Sequence, residues 1–322
     1  MKTLQITGEN AFEIIEIPQE QPQEDQVTVR IEIVSTCPRW DMSMMGGKDM
    51  FDASKQPDYP LPPGFPGHEM AGTVVAVGSK VASLKVGDRA AALEHLLGNG
   101  AYAEYLNYRE HELIRLPDNV EWKQAVSFEL LKCVLIGLLQ FGEISGKSML
   151  VSGLGPAGIL AMQAARLMGA SRVVAIDITQ ERIDFVNGLG IGIAKHADEL
   201  GDERFDLGYD CVGAAASVQN VLERVDSHVV IFGVLKGEVR YGGHLWFKGI
   251  KLESYNYRSF GASDQALLLD LVANKGLNTV CLQTHHVPLY RYHETIELLK
   301  KQEAIKVYAY PPTDFAAAAE GR

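Results

Sequence analysis

The chain has 322 residues, roughly two domains at a prior of about 150 residues each, and its 30 Lys and Arg against 41 Asp and Glu leave a net charge of −11. That acid excess argues against a nucleic-acid backbone or an anionic membrane as the main partner. A composition of 47% hydrophobic and 22% charged residues argues against wholesale disorder. The four cysteines, Cys37, Cys133, Cys211 and Cys281, lie too far apart to frame a small secreted fold, so a reduced, cytoplasmic compartment is expected. The opening Met1-Lys2-Thr3-Leu4-Gln5 turns polar too soon to read as a signal peptide, and apolar runs such as 134–139 and 229–235 are too short to span a membrane.

In chain order, the first third reads as β-rich. Residues 26–34 alternate polar and apolar side chains with the period of a half-buried strand, and 72–77 and 102–106 are strand-like, with Gly78 and Gly87-Asp88 as turns. Residues 49–66 hold five prolines and predict a surface loop. From about Trp122 the pattern changes to helix 129–141, strand 148–152, helix 156–168, strand 172–176, helix 180–189, strand 205–210, helix 218–224 and strand 228–232. Strands alternating with helices predict a doubly wound parallel sheet. Two amphipathic helices, 263–274 and 290–301, precede a last strand at 305–310, and a short alanine run occupies 316–319. The expected division is a β-rich domain from 1–125 and 261–322, with a nucleotide-type domain at 126–260 between them.

The run Gly153-Leu154-Gly155-Pro156-Ala157-Gly158 fits G-x-G-x-x-G, with a strand before it and a helix opening at it. The three glycines turn the chain, admit a pyrophosphate and let helix and strand pack closely, while the helix N-terminus offers free N–H groups to the phosphates. Pro156 suits the first turn because its missing N–H would have no partner there. Asp177 follows Gly158 by 19 residues, where a carboxylate binds a ribose diol and repels a 2′-phosphate, so NAD is expected over NADP. The alternative is a nucleotide-free turn with Asp177 as a helix cap. Arg182, a turn further on, either reaches the adenosine or is a solvated charge.

Cys37, His68, Glu69 and Glu129 offer a thiolate, an imidazole and two carboxylates, a donor set suited to Zn²⁺ with an open, catalytic position. Each has a bland alternative: a small buried hydrophobe for Cys37, a core histidine for His68, a first-turn acid for Glu129. Sequence spacing alone does not make them meet.

Taken together, Cys37, Pro66-Gly67-His68-Glu69-Met70-Ala71-Gly72, Gly87-Asp88-Arg89, Gly100-Ala101-Tyr102-Ala103-Glu104-Tyr105, the Glu129 segment, the glycine turn and Asp177 resemble the zinc-containing medium-chain dehydrogenases/reductases over residues 1–310. The resemblance implies an α/β protein with a GroES-like catalytic domain and a Rossmann nucleotide-binding domain. It makes Cys37, His68 and Glu69 zinc ligands and Glu129 a further, exchangeable one, a glutamate there being closer to the polyol and sugar dehydrogenases. Asp41 matches an aspartate that orients the zinc-bound histidine, and Val212, Gly213, Phe232, Gly233 and Val234 match strand ends bordering the nicotinamide.

Two departures stand out. The interval 89–99, where relatives carry four cysteines for a structural zinc, has none, so one metal site is expected. The stretch Cys37-Pro38-Arg39-Trp40-Asp41 is one residue longer than the family's C-x-S/T-D and lacks its relay hydroxyl; Ser43, or a water held by Glu129, is the expected substitute. Arg39 either binds an anionic or hydroxylated substrate group or pairs with an acid such as Asp41. The leading expectation is a zinc- and NAD-dependent dehydrogenase acting on a secondary alcohol or its ketone, of a polyol, sugar or cyclitol. The chain is expected to be a homodimer or homotetramer with no nucleic-acid or membrane partner. A zinc-free reductase of the same fold and a non-catalytic NAD-binding protein are the alternatives.

Overall fold

The computed structural model describes residues 1–52, 54–94 and 100–309. The chain forms two compact units, Met1–Leu130 with the segment from Thr279 onward, and Leu131–Asn278. The first unit opens with the hairpin β1 (Lys2–Gly8) and β2 (Ala11–Glu16), followed by β3 (Gln26–Ser35), helix α1 (Pro38–Met45), β4 (Glu69–Val77), β5 (Arg89–Ala92), β6 (Tyr105–Arg109), β7 (Leu113–Arg115) and the one-turn α2 (Trp122–Ala125). Helix α3 (Phe128–Leu139) leads into the second unit. There β8 (Ser148–Ser152), α4 (Pro156–Leu167), β9 (Arg172–Asp177), α5 (Gln180–Leu189), β10 (Ile193–His196), β11 (Phe205–Asp210), α6 (Ala215–Arg224), β12 (Val225–Ile231), α7 (Gly243–Lys248), β13 (Lys251–Ser254) and α8 (Ala262–Ala273) alternate. The chain then returns to the first unit with β14 (Gln283–His286), α9 (Tyr292–Lys300) and β15 (Lys306–Ala309).

In the first unit β3 is the organising strand. It pairs antiparallel with β4 and β6, and at its far end with β15, in a seven-stranded sheet. The apolar alternation of β3 buries Val27, Val29, Ile31 and Ile33, and with Leu4, Ile6, Met70, Val74, Tyr102 and Tyr108 they make the unit's core. Ser35, the last residue of β3, lies opposite Glu69 on one side and Tyr308 on the other. Residues from distant parts of the chain therefore converge just beyond that strand end.

The second unit is a six-stranded parallel sheet in the order β10-β9-β8-β11-β12-β13. The chain runs from β8 outward through β9 to β10, then crosses to β11 on the other side of β8. That reversal places the loops after β8 and β11 side by side at the carboxyl ends of the strands, where sheets of this kind bind ligands. Val174, Phe205, Val221, Val225, Val229 and Leu245 belong to its core.

Three expectations change. The parallel sheet ends on β13, a strand beyond those expected, next to the 228–232 strand (β12). Short, charged Lys251-Leu252-Glu253-Ser254 lacks the apolar run that marked the other strands. The return to the first unit comes at Thr279 rather than 261, since α8 stays with the second unit and the Gln163 side chain of α4 is hydrogen-bonded at both ends to the backbone of Asn278. Tyr102 precedes β6 instead of starting it. Tyr310 and the alanine run at 316–319 lie outside the described residues, as do positions 95–99 of the cysteine-free interval. Among the described residues, no helix is long and apolar enough to cross a membrane.

Candidate active site

Cys37 lies two residues past the end of β3 and is the N-cap of α1, with Pro38 at the first helical position. His68 and Glu69 stand where β4 begins. Their approach is fixed by a glycine contact: a Cβ on Gly64 would lie 2.0 Å from the carbonyl oxygen of Gly100. The Gly64–Gly67 segment is thus pressed against Gly100–Tyr102, with backbone hydrogen bonds from Ala101 N to Gly67 O and from Tyr102 N to Gly64 O. The result is a triad, His68 and Glu69 buried and Cys37 partly so: one ligand atom each, all within 4.8 Å of one another. Glu129, in the first turn of α3, puts Oε2 3.8 Å from His68 Nε2.

The histidine is oriented by main chain. His68 Nδ1 is 2.8 Å from the carbonyl oxygen of Pro66. A carbonyl only accepts, so Nδ1 carries the proton and Nε2 keeps its lone pair for a metal. Asp41, expected in that orienting role, does something else. Its Oδ1 receives the hydroxyls of Tyr102 (2.6 Å) and Tyr292, which ties α1 to α9 and to the strand-side Gly100 segment. Asp41 stands four residues past Cys37, about one helical turn, with its backbone N–H on the Cys37 carbonyl and its side chain turned to the two tyrosines. Ser43 lies about 200° round α1 from Asp41, and its hydroxyl has no hydrogen-bond partner among the described residues.

The residue that sequence reading missed is Lys306. It is fully buried on β15, and its ammonium donates to Glu69 Oε1 and to the Thr36 carbonyl. Its signal was a lysine inside the apolar run Ile305-Lys306-Val307-Tyr308-Ala309. Glu69 Oε2 and Asp41 Oδ2 are buried without partners. Burial pushes the Glu69 carboxyl up to about 8, Glu129 adding to the rise while Lys306 opposes it. Burial raises the Cys37 thiol strongly, and Glu69 adds to that. Asp41 rises to about 6, again by burial, with the tyrosine hydroxyls opposing. A divalent cation at Cys37, His68 and Glu69 would stabilise the thiolate and the Glu69 carboxylate and satisfy Glu69 Oε2. The donor set of sulfur, nitrogen and oxygen fits Zn²⁺. Among the described residues this is the one group of three or more His, Cys, Asp or Glu so assembled.

Arg39 does not pair with Asp41 or with any other described acid. It sits half-buried in the first turn of α1, two residues past Cys37, and among the described residues its one hydrogen bond is a long 3.4 Å contact to the Met50 carbonyl. Trp40 beside it makes edge-on contacts with Phe51 and Phe65.

In the second unit the glycine turn follows β8 and opens α4. Gly153 has φ +95°, which favours glycine, and a Cβ on Gly158 would lie 1.7 Å from the Gly153 carbonyl oxygen. A Cβ on Gly155 would meet nothing within 4 Å. One glycine makes the turn, one the close packing, and one leaves open space at a helix N-terminus, which is what a pyrophosphate needs. Pro156 and Ala157 form the first turn of α4. Asp177, at the end of β9, accepts hydrogen bonds from the N–H groups of Leu154 (2.7 Å), Ile178 (2.8 Å) and Thr179 (2.9 Å). Three of its four lone-pair sites are filled, leaving Oδ2 one acceptance, and Arg182 lies 3.9 Å from that oxygen. Val212 and Gly213 after β11 press on Gly233 and Val234 after β12: a Cβ on Gly213 would lie 2.2 Å from Val234 O. Phe232 stacks near Tyr209 and Tyr255.

Comparison with known proteins agrees with both units. Residues 23–118 match the alcohol dehydrogenase GroES-like domain, and residues 156–274 match the zinc-binding dehydrogenase domain. The chain belongs to the zinc-containing medium-chain dehydrogenases/reductases. L-threonine 3-dehydrogenase of Francisella tularensis subsp. novicida (strain U112) is 26% identical, over 80% of this chain and 85% of its own. Among solved structures, alcohol dehydrogenase TADH from Thermus sp. ATN1 superposes with a TM-score of 0.82 at 25% identity, covering 96% of this chain and 99% of that one. Galactitol-1-phosphate dehydrogenase from Escherichia coli shares the fold, with a TM-score of 0.81 at 21% identity over 97% of this chain and 100% of that one. The GroES-like first unit carries the Cys37, His68 and Glu69 triad, and the Rossmann second unit carries the glycine turn.

Proposed function

We propose that this chain is a zinc- and NAD-dependent dehydrogenase that interconverts a secondary alcohol, of a polyol, sugar or cyclitol, and its ketone. The observation that carries this reading is the convergence of Cys37, His68 and Glu69 within 4.8 Å, with Glu129 beside them and one carboxylate oxygen left without a partner. Cys37 Sγ, His68 Nε2 and Glu69 Oε2 would hold one zinc, and Gly155 with the start of α4 would hold the NAD pyrophosphate. When bound, the metal supplies a Lewis acid for the substrate oxygen and the nicotinamide takes up the hydride. Glu129 Oε2 would accept the hydroxyl proton through a water, and the Pro66 carbonyl at Nδ1 holds the His68 ring so that Nε2 faces the triad. Asp177 selects NAD by accepting one ribose hydroxyl and repelling a 2′-phosphate. The relatives named for L-threonine add that amino acid, itself a secondary alcohol, to the substrates worth trying first.

Elemental analysis should find about one zinc per chain, as a single open site implies. Cys37→Ser should lose most of the metal and the alcohol-dependent NADH formation while still binding NAD. A variant that keeps both zinc and turnover would overturn the assignment. Asp177→Ala should weaken NAD and narrow the preference over NADP; wild-type protein that runs faster with NADP refutes the cofactor choice.

A further inference from the structure

Arg39 stands apart from most arginines of this acidic chain. Arg30, Arg109, Arg204, Arg258 and Arg291 each sit beside a carboxylate. Among the described residues Arg39 has none, although it is half-buried and the chain carries 41 acids. A guanidinium has five N–H donors in a planar fork matched to carboxylate and phosphate. Here a single long contact, to the Met50 carbonyl at 3.4 Å, uses one of them. Withdrawing a charge partly from water without a partner is unfavourable, so the position is costly unless something else arrives to pair with it.

Its place in the helix says where that partner would lie. Cys37 caps α1, and Arg39 is the second residue of the first turn. Asp41 turns inward to Tyr102 and Tyr292. Arg39 and Ser43, four residues apart, share the face opposite Asp41, and the Ser43 hydroxyl is likewise without a protein partner. Among the described residues a guanidinium without a carboxylate and a hydroxyl without a hydrogen-bond partner thus stand together on α1, two and six residues past Cys37, with the ring of Trp40 between Phe51 and Phe65 alongside.

We propose that Arg39, with Ser43, selects substrates carrying an anionic group, a carboxylate or a phosphate, on the carbon chain that bears the reacting secondary hydroxyl. This rests on the dehydrogenase reading and names its substrate class: hydroxy acids and polyol phosphates ahead of neutral polyols. Arg39 acts on binding, not on the chemical step, so its loss falls on KM.

The test uses the zinc-loaded, full-length chain with NAD and three matched sets of probes, each a neutral polyol, the corresponding sugar acid and the corresponding monophosphate. In the wild type, kcat/KM should favour one anionic member of a set over its neutral partner. Arg39→Ala should raise KM for that member about ten- to a hundredfold, as for the loss of one charge-assisted contact, with kcat little changed. Arg39→Lys should restore part of the loss for a phosphate and less for a carboxylate, whose two oxygens match the fork. Which anion responds separates the two sources. An unchanged anionic-to-neutral ratio in Arg39→Ala overturns the proposal while leaving the dehydrogenase reading intact. Failure of the wild type to retain zinc, together with NADH formation from none of the alcohols tried, neutral or charged, sinks the dehydrogenase reading instead.

Two further measurements keep the outcome decisive. NAD affinity by fluorescence titration should be the same in wild type and Arg39→Ala; a parallel loss there would assign the guanidinium to the cofactor's pyrophosphate and overturn the proposal. Should turnover be absent with every probe, melting of the wild type should rise with millimolar inorganic phosphate and that of Arg39→Ala should not. Equal responses would overturn it.

Discussion

At the scale of single residues, the glycine turn separates two jobs that one motif usually blurs. A Cβ on Gly158 would sit 1.7 Å from the Gly153 carbonyl oxygen, so backbone must move to admit it. Gly158→Ala should cost about 1–3 kcal/mol in urea unfolding, as overpacked sites do. Gly155 faces open space, and Gly155→Ala should leave stability within about 0.5 kcal/mol while sharply weakening NAD in a titration. Equal losses of stability in both variants would mean that the open space serves the fold and not a ligand. The motif itself was legible in the sequence, because its strand and helix context is local. The triad was not. Cys37, His68, Glu69 and Glu129 could be named as a donor set, yet their meeting depends on strand pairing over long stretches of chain, and Asp41's tyrosine partners come from segments 61 and 251 residues away.

At the scale of elements, β15 binds the candidate site more tightly than its length suggests. Four residues long, it delivers Lys306 across the end of β3 to Glu69 on β4. Removing one member of a buried ion pair leaves the other charge without compensation. In metal-free protein above pH 8, where the Glu69 carboxyl is ionised, Lys306→Met should therefore destabilise the protein by about 3–5 kcal/mol, measured by denaturant unfolding. Adding Glu69→Gln should recover part of that loss, since the stranded charge is gone; a double variant no better than the single would rule out this account. The elements most easily read in advance were those with strong periodicity, such as β3, β8, α4 and β9. Helix α1 went unforeseen although Pro38 marked its start, because its eight residues lie beside a proline-rich loop that dominated the reading. Strand β13 went unforeseen because two of its four residues are charged.

For the whole molecule, the unpaired flank of β13 bears on assembly. An edge strand exposes a row of N–H and C=O groups that proteins normally cover or pair. Just before it, α7 shows Trp246 and Phe247 to solvent at 68% and 84% exposure, a ring pair with centroids 5.1 Å apart. Two-fold pairing is the commonest closed assembly, so sedimentation at micromolar concentration should give twice the chain mass or a multiple of it. Trp246→Glu with Phe247→Glu should shift the equilibrium toward the single chain. A wild type that sediments as a monomer throughout that range contradicts the expectation.

The first unit is built from both ends of the chain, and this sets an order of events during synthesis. Domains generally fold as they leave the ribosome, the earlier one first. Here the earlier stretch lacks β14, α9 and β15 until the ribosome has read past Thr279. Until then Glu69 has no lysine and Asp41 has only one of its two tyrosines. The middle segment, Leu131–Asn278, has all its strands in one continuous stretch and is the first part whose partners have all emerged. The second unit can therefore close while the first still lacks Lys306 beside Glu69 and Tyr292 beside Asp41, although the β3–β4 pairing that sets Glu69 has already emerged.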